Sequence, residues 1–283
     1  MNNETLPPEI GQYATLRVNR EVDFGFFLDA GELGEILLPL KYATDDLKIN
    51  DEIKVFLYLD SEDRPVATTE TPLAIVGEYA NLKVVSSTDI GAFLDWGLSK
   101  DLFVPLGEQR VPMEEGKSYT VYIMIDDTNR IAGSSRLKKY ISTDHSQLQE
   151  NQEVDILIHH KTRLGYQAIF DNRYRGVLYT NEIFTPIHIG QKLTGFIKKI
   201  REDNKIDLCL QLGGYEQLDD VANQILTTLK ENQGELSLTD KSSPSAIKHY
   251  FGISKKRYKM AIGKLYKQRL IKITEHKILL QSK

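Results

Sequence analysis

Cysteine is nearly missing from this sequence: Cys209 is the only one in 283 residues. A single thiol rules out an internal disulfide framework and a cysteine-rich zinc site. Inside a predicted strand it reads as a buried, inert side chain. Long apolar runs are missing too, and none approaches the roughly 18 residues that a membrane-spanning helix requires. The first ten residues, MNNETLPPEI, carry neither the basic start nor the apolar core of a secretion signal. Together these absences predict a cytoplasmic protein with no membrane association. The glycines form no phosphate-cradling or dinucleotide-binding loop. His145, His188, His249 and His276 are scattered, and His159 and His160, neighbours in a predicted strand, are expected on opposite faces, wrong for sharing a metal. Carboxylates crowd the first part of the chain, but in turns, where solubility explains them. No set of residues meets the requirements of an active site, so the sequence predicts no enzyme, no cofactor and no bound metal.

What is present is ordinary in bulk and uneven in detail. A hydrophobic content of 41% and a charged content of 27% are those of a soluble globular chain. The net charge of −4 argues against a uniformly basic coat. Residues 1–72 hold 6 basic against 15 acidic side chains, residues 73–145 hold 8 against 10, residues 146–213 hold 9 against 8, and residues 214–283 hold 13 against 7. Such a gradient is expected where only one end of a chain meets a polyanion; scatter among modules is the plain alternative.

The most informative feature is a repeat. VDFGFFLDAGELGEILLP, Val22 to Pro39, returns 66 positions later as TDIGAFLDWGLSKDLFVP, Thr88 to Pro105, with seven of eighteen positions identical. Chance would give about one, so a structural unit is repeated. A weaker third copy is TRLGYQAIFDNRYRGVLY, Thr162 to Tyr179, with Gly165 in the glycine place. Each copy lies among five short strands with glycine-marked turns, and five strands in about 65 residues suit a small closed barrel, because closure removes exposed edges. The stretch KKYISTDHSQLQE after the second copy reads as a polar linker. Gly213-Gly214 ends the β region. Beyond it Leu218, Val221, Ala222, Ile225 and Leu229 fall on one helical face. GELSLTD reads as a short strand. Ser243-Pro244 opens a helix that Gly252 closes, and Ser254 caps a longer one over residues 255–271. Two short strands then form a hairpin, which completes the layout of a winged helix. The expected modules are three barrels at 1–72, 73–145 and 146–213 and a winged helix at 214–283.

VDFGFFLD…GEILLP, with NRIAGSSR and NKIDLCL near the ends of the second and third copies, resembles the S1-like RNA-binding domain, an OB-type five-stranded barrel. Three such copies followed by a winged helix resemble the bacterial CvfB/YitL family, whose members include conserved virulence factor B. The resemblance implies a non-enzymatic, cytoplasmic RNA-binding regulator of gene expression, acting after transcription and on virulence-related genes. It also assigns residues. Phe24 and Phe27 match the two aromatic positions of the S1 pattern, and Arg64 and Arg130 match its basic position. The histidine position holds Pro39, Pro105 and Tyr179. The third copy replaces the aromatic pair by Leu164 and Gln167, with Lys161, Arg163, Arg173, Arg175, Lys198, Lys199 and Arg201 as compensating cations.

Strand alternation argues for the same surface independently. Phe26 and Leu28 should point into the barrel and Phe27 and Asp29 out; Ala92 and Leu94 in, Phe93 and Asp95 out. A ring set twice on the wet face is suited to stacking a base; packing between modules is the bland alternative. In the winged helix, Tyr258, Ala261, Ile262, Leu265 and Tyr266 form one apolar stripe, and Lys256, Lys264 and Lys267 lie opposite it with Lys259 at the margin. Lysines there suit phosphate contact without base readout. Single-stranded RNA is the expected partner. Duplex DNA read by the winged helix, with the barrels as a protein-interaction arm, is the alternative, and a pure protein scaffold a third. The acidic first barrel is a candidate surface for a protein partner.

Overall fold

A computed structural model of the chain describes residues 7–183, 185–211 and 215–281, with side chains in the last segment from residue 221 onward. The chain divides into two compact units, Met1–Ser142 with Asn172–Tyr174, and Thr143–Asp171 with Arg175–Lys283. Among the described residues no helix is long and apolar enough to cross a membrane.

The first unit holds two barrels. Barrel 1 comprises β1 (Tyr13–Val22), β2 (Gly25–Asp29), β3 (Glu35–Pro39), β4 (Glu52–Leu59) and β5 (Pro65–Thr68), closed in the order β1-β2-β3-β5-β4. Barrel 2 comprises β6 (Tyr79–Ser87), β7 (Gly91–Asp95), β8 (Leu102–Pro105), β9 (Ser118–Ile125) and β10 (Ile131–Ser134). Its hydrogen-bonded order is β10-β9-β6-β7-β8, the same circuit left unjoined between β8 and β10. The alternation that predicted the strands also fills the cores: Val18, Leu28 and Leu38 in barrel 1 and Val84, Leu94 and Val104 in barrel 2 are sealed from solvent, each such side chain worth roughly 1.5–3 kcal/mol on burial.

A second apolar cluster joins the two barrels. Phe56, Tyr58 and Val66 of barrel 1 pack with Trp96 and the core of barrel 2, and the Phe56 and Trp96 rings meet edge to face at 5.8 Å. Lys100 Nζ donates to the carbonyls of Leu59 and Asp60 at 2.9 and 2.8 Å. The predicted linker after barrel 2 is corrected in its first part. Leu137, just before it, is buried, and within it the Tyr140 ring stacks on Tyr122 at 4.1 Å, so the start of the stretch is packed onto the barrel.

Barrel 3, which lies in the second unit except for Tyr174, comprises β11 (Glu153–Lys161), β12 (Gly165–Phe170), β13 (Tyr174–Tyr179), β14 (Lys192–Ile200) and β15 (Ile206–Cys209), closed as β11-β12-β13-β15-β14. Cys209 is buried, and burial pushes its thiol up from the ordinary range, away from reactivity. The winged-helix region follows as α1 (Tyr215–Glu231), β16 (Glu235–Leu236), α2 (Pro244–Phe251), α3 (Lys255–Lys267), β17 (Ile271–Ile273) and β18 (Ile278–Leu280), with sheet order β16-β18-β17. The caps read from sequence form as expected. Ser243 Oγ accepts from Ala246 N at 3.1 Å, Ser254 Oγ accepts from Arg257 N at 3.2 Å, and Gly252 takes the left-handed conformation at φ 67°. Val221, Ala222, Ile225 and Leu229 are buried; Gly213, Gly214 and the Leu218 side chain lie outside the described residues. Helix α3 ends at Lys267 rather than residue 271, as Arg269 adopts φ 58°.

Candidate nucleic-acid interface

The repeat's glycine is dictated by the backbone. Gly25 sits at φ +155°, and a Cβ there would lie 2.2 Å from the Leu38 carbonyl oxygen; Gly165 sits at φ +153° with Leu178 O at 1.9 Å. Glycine thereby lets β2 cross close to β3 and sets the phase of the strand that follows. In barrel 1, Phe26 and Leu28 point inward and are buried, while Phe27 is half-buried and Asp29 exposed. Phe24, at the turn, is 59% exposed and meets Phe27 edge to face at 6.4 Å. Exposed Leu40 lies just past the end of β3.

All three barrels carry a bulge at one place in their first strand. The register steps between Val18 and Arg20, between Val84 and Ser86, and between Ile158 and His160. The residue after each bulge therefore faces the outward position of the second strand: Arg20 faces Phe27, Ser86 faces Phe93, and His160 faces Gln167. The third bulge corrects the expectation for His159 and His160. Their rings lie 5.9 Å apart, tilted by 34°, because the bulge breaks the alternation that would have separated them. Among the described residues no group of three or more His, Cys, Asp or Glu is placed to hold a metal ion.

Barrel 2 presents the larger aromatic surface. Phe93 is half-buried on the outer face, and its neighbour across the ladder is Phe103, centroid to centroid 5.1 Å. The Phe103 ring lies over Gly91, where a Cβ would come within 2.6 Å of it. Ile90 and Leu106, 62% and 51% exposed, lie just beyond the Gly91–Pro105 end of this ladder, where Leu106 N donates to Ile90 O. Phe103 was not among the residues read from sequence, although alternation with buried Leu102 and Val104 marks it as outward. Between the first two barrels the packing is done by other rings, Phe56, Tyr58 and Trp96.

Arg64 and Arg130 occupy equivalent turns. In each, an aspartate four residues earlier accepts from two backbone N–H groups: Asp60 Oδ1 from Glu62 and Arg64 at 2.8 and 3.0 Å, and Asp126 Oδ1 from Thr128 and Arg130 at 2.8 and 3.0 Å. Burial pushes both carboxyls up, but the hydrogen bonds and the arginine charges outweigh it and hold them below the usual carboxylate range. Both guanidinium groups already have carboxylate partners. Arg64 pairs with Asp60 at 2.8 Å and Glu62 at 3.2 Å, and Arg130 pairs with Asp63 of barrel 1. These carboxylates, rather than the exposed rings, are what the two arginines meet.

In barrel 3, Leu164 is 68% exposed and Gln167 half-buried, so the outer face lacks the aromatic pair. A different cluster stands at the end of β13. Arg201 Nε donates to Asp207 Oδ2 at 2.9 Å, Arg201 also donates to the Tyr179 hydroxyl, and that hydroxyl donates to Asp207 Oδ1 at 3.3 Å. Asp207, buried in β15, fixes the tyrosine and the arginine; sequence reading missed it, because an aspartate inside a strand gives no sign of its partner. Lys198 pairs with Glu182. Lys161 lies 5.9 Å from the Tyr166 ring and Arg173 5.5 Å from that of Tyr174. Arg163, Arg175 and Lys199 are exposed.

On α3, Tyr258, Ala261, Ile262 and Leu265 are buried as the stripe requires, and Tyr258 Oη donates to the Leu238 carbonyl at 2.8 Å. Tyr266 departs from the stripe and is 56% exposed. It follows Leu265 by one residue, about 100° around the helix, and so leaves the buried face. Lys256 and Lys267 are exposed, Lys264 is partly buried, and Lys259 pairs with Asp240 at 3.8 Å. Met260, 53% exposed, shares this surface.

The first two barrels and the winged-helix region match known families. The S1 domain family matches residues 10–70 and 76–135, and the CvfB-like winged helix domain family matches residues 223–280. The uncharacterized protein YitL of Bacillus subtilis is 32% identical over 266 residues, spanning 91% of this chain and 89% of its own. Conserved virulence factor B of Staphylococcus aureus is 28% identical over 247 residues, spanning 84% and 82%. Among solved structures, a multidomain protein with nucleic acid binding domains from Streptococcus pneumoniae is 25% identical, covers 96% of this chain and 98% of that one, and gives a TM-score of 0.42.

Proposed function

The chain belongs to the CvfB/YitL family, and from that premise we propose that it is a non-enzymatic nucleic-acid-binding protein that takes single-stranded RNA. In this reading it regulates gene expression after transcription in the bacterial cytoplasm, virulence-related genes included, a role proposed from its resemblance to relatives named conserved virulence factor B. The modules act as barrels at 1–72, 73–145 and 146–213 and a winged helix at 214–283. The observation that carries the reading is the pair Phe93 and Phe103, side by side on the solvent face of barrel 2. Base stacking on such rings is worth roughly 1–3 kcal/mol per base and tolerates any sequence. Tyr179 beside Arg201 in barrel 3 supplies a ring and a cation, and Lys256, Lys264 and Lys267 supply phosphate attraction. Weak modules on one chain reinforce one another through effective concentration.

Barrel 1 suits a polyanion poorly, since its module carries 6 basic against 15 acidic side chains and repels phosphate; it is the surface assigned here to a protein partner. A second reading, duplex DNA bound by the winged helix, is favoured by the exposed lysines of α3 alone. Competition between single-stranded RNA and duplex DNA for the purified chain separates the two. Preference for RNA, with crosslinks mapping to peptides that contain Phe93 and Phe103, supports the first. Preference for duplex DNA with crosslinks confined to α3 overturns it.

A further inference from the structure

We infer that Arg20 determines which of the two matched barrels offers its ring to a base, closing barrel 1 and leaving barrel 2 open. This rests on the stacking reading above. The Arg20 guanidinium carbon lies 3.7 Å from the centroid of the Phe27 ring, so the planar group covers the face that a base would use. It is held there from the far side. Arg20 Nε and Nη2 both lie 3.0 Å from Glu35 Oε2, and Asn19 Nδ2 donates to Glu35 Oε1 at 3.5 Å. Three strand positions converge on one ring: Phe27 on β2, Arg20 on β1 directly opposite it past the bulge, and Glu35 at the start of β3 opposite Asp29.

Barrel 2 has the same frame without the cover. Ser86 stands opposite Phe93 where Arg20 stands opposite Phe27, and a serine is too short to lie across the ring. Asp101, 66 positions after Glu35, has one methylene fewer. The ring's neighbour is instead Phe103, which widens the platform. In barrel 3 the two positions hold His160 and Gln167. A base entering barrel 1 must therefore displace a cation–π contact and an ion pair together, which costs about three- to tenfold in affinity. The same base entering barrel 2 displaces neither.

The lock and the charge of Arg20 act in opposite directions on RNA binding, which gives the test a sign. Arg20→Ser installs the residue of barrel 2 in barrel 1. It removes a positive charge, which by phosphate attraction alone weakens binding. The lock instead requires that the full chain bind a short, mixed-sequence single-stranded RNA about fivefold more tightly by fluorescence anisotropy, and that adding Phe27→Ala abolish the gain. The reverse transplant, Ser86→Arg with Asp101→Glu, adds bulk and a cation to barrel 2 and is expected to weaken binding about fivefold. Unchanged or weaker binding by Arg20→Ser overturns the inference, as does tighter binding by the transplant. Phe93→Ala with Phe103→Ala separates the two levels. If that pair has no effect, the stacking reading falls and the lock falls with it. If the pair weakens binding and Arg20→Ser fails to tighten it, the lock alone is wrong.

Discussion

Phe27 and Phe93 hold the same place in two barrels built 66 residues apart, yet one ring lies under a guanidinium and the other beside a second phenylalanine. Three backbone features are shared: the close-approach glycine, the bulge before the outward ring, and the aspartate that closes the last hairpin with equal distances in both copies. They differ in closure, which barrel 2 leaves unjoined between β8 and β10, and in the outward side chains around the ring. A repeated frame is thus kept by backbone geometry, while the outer face is free to diverge, and one copy can cover what the other displays.

The comparison can be broken at several points. The largest effects are expected at the glycines. Gly25→Ala places Cβ 2.2 Å from a carbonyl oxygen at a positive φ, and is expected to cost about 3 kcal/mol or more, read from the denaturant midpoint. Gly91→Ala lacks the positive φ, and part of its clash is with the Phe103 ring, which can turn; about 2 kcal/mol is expected there. Equal losses at the two sites would mean that the Phe103 ring is as fixed as backbone. Next, Phe93→Ala with Phe103→Ala should weaken RNA binding by about 2 kcal/mol, roughly thirtyfold, and change stability little, since Phe93 and Phe103 are only half-buried. Phe27→Ala should cost less than about threefold, its ring being already occupied. A loss at Phe27 matching that at Phe93 would erase the distinction between the barrels.

Smaller effects test the other unit and the shared turns. Changing Lys256, Lys264 and Lys267 to Gln should flatten the salt dependence of binding by about 0.7 in log–log slope for each phosphate left without its lysine. An unchanged slope would take α3 out of the interface. Asp60 and Asp126 have carboxyls held below their ordinary value in the folded chain. Their contribution is present above the unfolded value of about 3.9 and is lost as pH falls through the depressed folded one. Asp60→Asn with Asp126→Asn should therefore blunt the fall in stability below about pH 4, by an amount on the order of 1 kcal/mol. A parallel pH profile would show that these turns do not sense acid.

Much of this architecture was legible because it rests on local rules. The repeat spacing gave the barrels, period-two alternation turned Phe27 and Phe93 outward, and Ser243, Pro244, Gly252 and Ser254 framed the helices. The lock was not legible. A regular ladder that pairs Val18 with Leu28 would set Asn19 opposite Phe27; the bulge moves Arg20 there instead, and nothing in the sequence of β1 announces a bulge. The pairing of Arg130 with Asp63 and of Arg201 with Asp207 was hidden for a similar reason, since each joins positions whose meeting depends on the folded register. Hydrophobicity alone places Tyr266 in the buried stripe, and the helical angle turns it into solvent.

Trp96 is the chain's sole tryptophan, and it is buried against Phe56 at the seam between the first two barrels. Indole fluorescence from this protein therefore comes from one joint. A shift in emission colour during unfolding times the parting of those barrels, while the helical component of the far-ultraviolet ellipticity, which comes from α1, α2 and α3, follows the other unit. Coincident curves would mean that the two units come apart as one cooperative body, and separated curves that each melts on its own, with no label attached to the chain.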